Sequence, residues 1–289
     1  MTTSDSALVL ADVVAALERL YPPETATDWD RVGLVTGDLG QPVALVHFAV
    51  DPTLGVVEEA VAAGANLLVT HHPLLLRGVS SVATATAKGE TVTRAILGDL
   101  AIYCAHTNAD VATPGVGDAL AAACGLESVE PLSAGPDALG RVGTLPRPMT
   151  LRAFVERLAG ALPATVGGIR VSGPPDEEVR RVAVVGGAGD DRFEAVRQAG
   201  ADVFVTADLR HHPVLENREQ TRGGRPYLVD AGHWASEWVW LASAEEELAR
   251  VLGGAGGHEP STRLDTFIST LRTEPWTFVV GANAAGGTS

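Results

Sequence analysis

Residues 64–70 read Gly-Ala-Asn-Leu-Leu-Val-Thr, and residues 200–206 read Gly-Ala-Asp-Val-Phe-Val-Thr. An amphipathic helix that contains Glu-Ala-Val precedes each stretch, and each stretch ends in an apolar run that is typical of a short buried strand. His-His-Pro follows at once at residue 71 and recurs after four further residues at residue 211. Because the order and the spacing match at several places, we predict that the chain contains a duplicated lobe.

The rest of the chain also alternates strand-like apolar runs with amphipathic helical stretches, which indicates an α/β fold with mostly parallel strands. The predicted helices cover residues 6–20, 53–63, 90–97, 113–123, 150–162, 191–199 and 235–251. The predicted strands cover residues 43–50, 66–70, 101–105, 182–185, 203–206, 226–229, 266–271 and 276–280. We expect a first lobe over residues 1–126, a connection rich in proline and glycine over 127–180, and a second lobe over 181–289.

The composition limits the classes of function. The chain has 289 residues, of which 46% are apolar, so it can bury a core as one compact domain or as two fused lobes. Its formal charge of −15 argues against a general nucleic-acid or membrane-surface binder, because both need a basic surface. No apolar run reaches the ~18 residues of a membrane span. Two cysteines and a start without basic residues favour a reducing cytoplasm.

Histidines concentrate where predicted strands end. His71 and His72 lie at the carboxyl end of the strand over 66–70, which is where ligand sites form in open α/β sheets. Neighbouring residues of an extended strand point to opposite faces, so one ion can bind both imidazoles only if the chain turns there. The alternatives are that each imidazole binds a different ion of a pair, or that the two histidines are only a polar strand end.

A histidine followed four residues later by a carboxylate occurs in each half of the chain, as His106 with Asp110 and as His233 with Glu237. If the chain is helical at these places, the two side chains share one face and can bind the same ion. Imidazole together with carboxylate suits Zn, Fe, Mn, Co or Ni better than Ca or Cu(I). Two such ions close together would share a bridging water or carboxylate.

Six motifs together resemble those of one known family. They are Asp28–Leu34, Thr70–Pro73, His106–Asp110, Asp208–His212, Asp230–His233 and Leu271–Phe278. On these motifs, and over nearly its whole length, the chain resembles the Nif-three-like proteins of the NGG-interacting-factor-three type. These are also known as dinuclear metal centre proteins or GTP cyclohydrolase I type two homologues. Arg31 stands where this family usually has Asn, and His211 where it commonly has Tyr, which leaves the substrate contacts open.

The resemblance implies two α/β lobes with a dinuclear metal site between them, and a homohexameric ring whose sites face an inner cavity. Carried over onto the matching positions, the ligands of two divalent ions per chain are His71, His72, Asp110, His233 and Glu237. His106 takes a neighbouring position, and His212 matches a histidine that lies near the ions without binding them. Longer relatives carry an inserted domain between the lobes, for which the connection over 127–180 is too short.

The resemblance further implies a metal-dependent hydrolase, with GTP cyclohydrolase as the named activity. Water activated by the ions would attack C8 of guanine, open the imidazole ring and release formate. His212 is the candidate general acid and base, because an imidazole titrates in the useful range. Arg77 or Arg210 could offset the charge of the triphosphate.

Other functions stay open at this level. The same ions could hydrolyse a phosphoester, or the protein could be a non-enzymatic metal-binding ring that regulates, handles metal or acts as a scaffold. An exchangeable coordination position distinguishes a catalytic site from a closed structural one. DNA threading through the ring would need a locally basic inner surface. We interpret Gly186–Gly189 as a tight strand-to-helix turn rather than a phosphate cradle, and Trp234, Trp238 and Trp240 as helix-packing residues.

Overall fold

A computed structural model describes residues 8–134, 138–254 and 264–281. The helices are α1 (Leu10–Leu20), α2 (Leu54–Ala62), α3 (Ala87–Leu97), α4 (Thr107–Val111), α5 (Val116–Ala123), α6 (Leu151–Ala161), α7 (Phe193–Gln198), α8 (His211–Gln220), α9 (His233–Trp238) and α10 (Trp240–Gly254). The strands are β1 (Gly33–Thr36), β2 (Leu45–Ala49), β3 (Leu67–Thr70), β4 (Ala101–Cys104), β5 (Glu127–Pro131), β6 (Arg141–Thr150), β7 (Arg170–Ser172), β8 (Glu178–Ala188), β9 (Val203–Ala207), β10 (Tyr227–Asp230) and β11 (Asp265–Ile268). No helix among these residues is long and apolar enough to cross a membrane.

The strands form two sheets with the same central topology, which confirms the predicted α/β fold. The first sheet has the order β1-β4-β3-β2-β11 and the second has the order β5-β6-β8-β9-β10-β7. In the first, β2, β3 and β4 are parallel and β1 is an antiparallel edge. In the second, β8, β9 and β10 are parallel and β7 is an antiparallel edge. The arrangement β1-β4-β3-β2 therefore recurs as β7-β10-β9-β8, as expected for a duplicated lobe.

The order of elements along the chain repeats as well. The series α1, β1, β2, α2, β3, α3, β4, α4, α5 corresponds one by one to α6, β7, β8, α7, β9, α8, β10, α9, α10. The second repeat in this series begins at α6, which lies inside the segment 127–180 that we predicted as a connection. That segment also supplies β5 and β6, which pair with each other and with β8. It is therefore largely part of the second sheet.

Prolines explain why the sequence pattern concealed β6. Pro146 and Pro148 cannot donate a ladder hydrogen bond, so a strand that contains them is hard to recognise from sequence. In the structure, β6 pairs with β8 from Arg141 to Thr144 and again from Met149. Both prolines lie between these two stretches, where the register shifts and no partner on β8 is required.

Other boundaries differ from the prediction in smaller ways. The helix predicted from Thr113 begins at Val116, because the Asp118 carboxylate accepts a hydrogen bond from Gly115 N (2.9 Å) and fixes the cap there. α8 was not predicted, and its proline lies in the first turn, where the missing N–H is tolerated. The strand predicted over 276–280 is absent. The start of the first predicted helix, residues 6–7, lies outside the described residues.

The two lobes share one apolar core. Side chains of α1, α5, α6 and α10 join one face of both sheets in the largest cluster, which includes Leu67 of β3 and Val205 of β9. The alternate residues Leu68 and Phe204 belong to smaller clusters on the opposite faces, as the two-residue period of a strand requires. Both sheets are therefore buried on two faces, which accounts for their nearly continuous apolar strands.

The tryptophans after His233 pack between helices, as predicted. Trp240 is fully buried in the shared cluster, and its ring centre lies 5.5 Å from that of Tyr21, which directly follows α1. Trp234 is also buried. Trp238 is half-buried and donates its Nε1 hydrogen to Ser269 O (3.0 Å). These side chains hold the second repeat against the first and against the segment after β11.

Removing Trp240 should weaken the joint core of the two lobes. We expect Trp240→Ala to lower the free energy of unfolding by about 3–5 kcal/mol, because a large buried side chain is lost and a cavity remains. The matched control is Trp276→Ala, since Trp276 is 67% exposed; its effect should stay within about 0.5 kcal/mol. Denaturant titration followed by circular dichroism measures both, and equal stabilities of the two variants would contradict this packing role.

Candidate metal centre

Four histidines and one glutamate meet where the strand ends of the two lobes face each other. His71 and His72 directly follow β3, and His106 follows β4. His233 and Glu237 lie one helical turn apart on α9, which follows β10. His72 Nε2 and His233 Nε2 are 3.3 Å apart, although the two residues are separated by 161 positions in the chain. The cluster therefore lies at the carboxyl ends of parallel strands from both sheets.

The backbone after β3 presents both neighbouring histidines to the cluster. His71 N donates to Ala49 O (3.2 Å) and His72 N donates to Val50 O (2.9 Å), so pairing with the neighbouring chain continues past the strand. The two ring centres are 5.1 Å apart. Both imidazoles belong to the same cluster, which rules out the interpretation of this pair as only a polar strand end.

Each of the four imidazoles is held through its Nδ1 atom. The acceptors are Ala105 O for His71 (3.0 Å), Asp51 Oδ1 for His72 (2.7 Å), Asp30 Oδ1 for His106 (2.9 Å) and Asp208 Oδ2 for His233 (2.8 Å). When Nδ1 donates to such an acceptor, the neutral ring carries its free electron pair on Nε2, which is the form that binds metals. All four rings are thus oriented as ligands.

Glu237 lies among the Nε2 atoms with 3% of its side chain exposed. Its Oε1 is 3.5 Å from His71 Nε2 and 3.1 Å from His233 Nε2, and its Oε2 is 3.2 Å from His72 Nε2. Within the described part of the chain, no group completes a hydrogen bond to Oε2. A buried carboxylate with an oxygen left unsatisfied is costly unless a cation neutralises it.

The spacing of the donor atoms fits metal ions. His71, His72 and His106 offer nitrogen atoms within 4.8 Å of one another, and so do the donors of His72, His233 and Glu237. Ligand bonds to a transition metal measure ~2.0–2.2 Å, so two donors on one ion lie roughly 3–3.5 Å apart, close to the separations found here. The residues fit an ion that prefers nitrogen together with carboxylate, such as Zn, Fe, Mn, Co or Ni.

Gly187 allows Glu237 to reach this position. A Cβ atom on Gly187 would lie 2.3 Å from Glu237 Oε1 and 3.0 Å from His233 Nε2, and the residue has a φ of 63°. Gly187 N donates to Ser236 Oγ (2.9 Å), so this N–H group is already used. Gly186 and Gly187 continue β8 beside α9, which differs from the turn that we predicted for Gly186–Gly189.

The other predicted site residues are less closely connected. Asp110 Oδ1 lies 3.8 Å from His71 Nε2, outside the two groups of three donors. His212 is exposed at the start of α8, where its ring packs 5.1 Å from that of His211, and no described contact joins it to the cluster.

The two arginines that we predicted as candidates for binding the triphosphate also lie outside the cluster. Arg210 is neutralised by two hydrogen bonds to Asp190. Arg77 is exposed and forms no ion pair within the described residues. His106, by contrast, is one of the grouped donors.

The three orienting carboxylates were not predicted as part of the site. Asp51 follows β2, Asp208 follows β9, and Asp30 lies in the motif Asp28–Leu34. Thr273 Oγ1 donates to Asp51 Oδ2, which brings the segment after β11 to the site. A search for acids just past the ends of parallel strands would have found Asp51 and Asp208, because such acids lie at the same edge of the sheet as the histidines.

The carboxylates change the proton affinity of the cluster. Burial by itself would lower the pKa of His72, but Glu237 and Asp51 raise it to about 11. Burial likewise opposes the rise in the pKa of His233 to about 9, which Glu237 and Asp208 cause. Burial tends to raise the pKa of Glu237, yet the neighbouring histidines hold it well below its usual range. Without metal, the protonated imidazoles of His72 and His233 thus supply the positive charge that stabilises the Glu237 carboxylate.

Comparison with known proteins identifies the family. Residues 8–263 match the family described as Duf34/NIF3 (NGG1p interacting factor 3). The chain belongs to the NIF3 family. Among its relatives, the GTP cyclohydrolase 1 type 2 homolog of Streptomyces coelicolor is 48% identical over 274 residues, which are 93% of each chain. The homolog of Mycobacterium tuberculosis is 34% identical over 377 residues, covering 92% of this chain and 96% of the relative.

Solved structures agree with this membership. A Bacillus cereus protein related to NIF3 superposes with a TM-score of 0.84 at 26% identity, covering 95% of this chain and all of that one. Reduced HcgD from Methanocaldococcus jannaschii superposes with a TM-score of 0.73 at 26% identity, covering 91% of this chain and 98% of that one. The NIF3 fold with its two sheets is therefore common to these proteins.

Removing the charge of an orienting carboxylate should weaken metal binding without removing a ligand. We expect Asp51→Asn and Asp208→Asn each to lower the affinity for Zn²⁺ about 10- to 100-fold, because the imidazole loses its orientation and basicity. Competition with a chelator measures the affinity. Asp176→Asn, at an exposed position, is the control and should bind as the unchanged protein does. Unchanged affinity in both site variants would contradict the proposed orientation.

Metal binding should release protons at neutral pH. His72 and His233 have pKa values of about 11 and about 9, so both are protonated at pH 7 in the metal-free protein. A metal binds only the neutral imidazole, so binding should release at least one proton, and the affinity should rise as the pH increases toward 9. Calorimetry in two buffers of different ionisation enthalpy counts these protons. The variant His233→Ala should release fewer protons than the unchanged protein when metal binds. A binding enthalpy that is the same in both buffers would refute the expectation.

Proposed function

We propose that this NIF3 protein is a metal-dependent hydrolase that uses two divalent ions to open the imidazole ring of a guanine nucleotide, as the name of its GTP cyclohydrolase 1 type 2 relatives suggests. The observation that carries the proposal is the convergence of three oriented Nε2 atoms, those of His71, His72 and His233, on the buried carboxylate of Glu237. His72 belongs to both groups of donors, and its Nε2 can bind only one ion, so the support for two neighbouring ions is Glu237, whose two oxygens lie beside different imidazoles.

In this proposal the ligands are His71, His72, Asp110, His233 and Glu237, and His106 is close enough to take part. The two oxygens of Glu237 face different imidazoles, so this carboxylate can contact both ions at once. When bound, divalent ions lower the pKa of water toward neutrality and stabilise developing negative charge. The chain itself must hold the guanine with C8 toward the ions and supply a proton to the opening ring.

The exposure of the ligands favours an enzyme over a closed structural site. His71 and Glu237 form a buried floor, whereas His72, Asp110, His106 and His233 are partly exposed around it. A substrate can therefore reach the ions from one side, which a structural site would not allow. We further propose that the protein acts in the cytoplasm as a homohexamer, in keeping with the two buried free cysteines and the family resemblance.

Turnover of a panel of nucleotides tests the activity. Protein loaded with Zn²⁺, Mn²⁺, Fe²⁺, Co²⁺ or Ni²⁺ is incubated with GTP, GMP, guanosine and ATP, and formate and phosphate are measured separately. We expect formate from guanine compounds only, and its loss in Asp110→Ala but not in Asp176→Asn. Phosphate without formate would instead favour phosphoester hydrolysis. No product with any metal would overturn the hydrolase and leave the non-enzymatic metal-binding ring.

The same assay tests the role of His212. If His212 transfers the proton, His212→Ala should keep its metal content and melting temperature and lose about 100- to 10,000-fold in turnover. His211→Ala is the matched control, because it removes the neighbouring exposed ring of α8. Loss of metal from His212→Ala would identify it as a ligand, and full activity would show that another group moves the proton.

A further inference from the structure

A short loop before β1 is fixed against the metal centre. Asp30 is buried, its Oδ1 accepts from His106 Nδ1 (2.9 Å), and its Oδ2 accepts from Thr107 N (3.0 Å) and Thr107 Oγ1 (2.6 Å). One carboxylate thus ties residues 28–31 to the end of β4 and the start of α4. Because these charge-assisted bonds are short and buried, the residues on either side of Asp30 hold fixed positions beside His106.

Trp29 lies at the exposed rim of the cluster. Its ring centre is 5.8 Å from that of His106, with the two planes at 78°, and the residue is 57% exposed. His106 is itself a grouped donor, so the indole stands one ring away from the ions that the cluster would hold. Trp234 and Trp240 are buried in the shared core, whereas Trp29 belongs to none of the apolar clusters of the described residues. A large aromatic surface exposed beside a polar site is typical of ligand binding.

Arg31 places a positive charge on the other side of Asp30. Its Nη1 donates to Asp30 O and to Asp28 O, which anchors the guanidinium to the backbone of the loop. Within residues 8–134, 138–254 and 264–281, Arg31 forms no ion pair with a carboxylate, and its Nε and Nη2 have no hydrogen-bond acceptor. An anchored guanidinium with free donors is suited to bind a phosphate. In a chain with a charge of −15, such a cation is notable.

We propose that Trp29 and Arg31 form the recognition surface for a purine nucleotide, with the indole stacking on the base and the guanidinium binding a phosphate. This inference rests on the proposed function, because the base must lie at the ions for its ring to be opened. The two residues divide the recognition: Trp29 contributes to any ligand with a planar base, and Arg31 contributes only to ligands that carry phosphate. Both act through direct contact with the ligand.

Three ligands separate the two contributions. Binding of GTP, guanosine and inorganic triphosphate to the full-length, metal-loaded protein is measured by calorimetry at one salt concentration. Trp29→Ala should weaken GTP and guanosine about 5- to 150-fold and leave triphosphate unchanged, since stacking on a base is lost. Trp29→Phe should restore most of the affinity. Arg31→Asn should weaken GTP and triphosphate about 10-fold or more and leave guanosine unchanged.

Matched controls exclude indirect effects. Arg147→Asn makes the same substitution at an exposed position in β6, away from the cluster, and should not alter binding. Metal content and melting temperature should remain constant in Trp29→Ala and Arg31→Asn. If light scattering shows that Trp29→Ala changes the mass of the assembly, Trp29 is a subunit contact and the inference is wrong. Equal affinity of all variants for all three ligands, or no binding by the unchanged protein, would also overturn it.

The outcome for recognition is distinguishable from the outcome for catalysis. Binding that depends on Trp29 and Arg31 without any formate would support the recognition surface and refute the hydrolase. Formate production with a KM for GTP that Trp29→Ala leaves unchanged would refute the recognition surface and support the hydrolase. If both hold, Trp29→Ala should raise KM far more than it lowers kcat, because stacking contributes to binding before the chemical step.

Discussion

The buried carboxylate of Glu237 is the constraint on which the rest of the site depends. It lies 3.1–3.5 Å from the Nε2 atoms of three histidines, of which His71 and His72 come from the first lobe and His233 from the second. A buried anion without compensating charge would be strongly unfavourable, so the lobes must bring positive charge to it. Protons on the histidines can supply that charge, and a divalent ion would supply more of it. Since the ligands of such an ion come from both lobes, metal binding would be coupled to the contact between the lobes.

The duplication explains where these groups lie. His106 and Asp110 follow β4, and their counterparts His233 and Glu237 follow β10 at the same spacing. The residues that follow β3 and β9 differ between the two repeats. When Thr70 is aligned with Thr206, His72 aligns with Asp208. Asp208 does not replace a ligand. It accepts a hydrogen bond from His233 Nδ1 (2.8 Å) and orients that ligand instead.

This divergence also accounts for the second His-His-Pro motif. His211 and His212 lie on α8 with exposed side chains, whereas His71 and His72 end a strand and are held by backbone pairing. The same three residues therefore have different surroundings in the two repeats. One site with unequal halves results, with a buried floor and an accessible rim beside Trp29.

Local features of the chain determined much of this protein from the sequence alone. Apolar periodicity identified the parallel strands and most helices, because such a pattern acts over one turn or one strand. The spacing of His106–Asp110 and His233–Glu237 predicted metal donors, and the structure brings His106, His233 and Glu237 into the two groups of donors. Only the tertiary structure decided the pairing of β6 around its prolines, the positions of Asp30, Asp51 and Asp208 behind the imidazoles, and the exposure of Trp29. These depend on contacts between distant segments, such as His106 with Asp30 across 76 positions. Sequence periodicity reports whether a residue is buried, but the packing of two sheets selects which distant residue it meets.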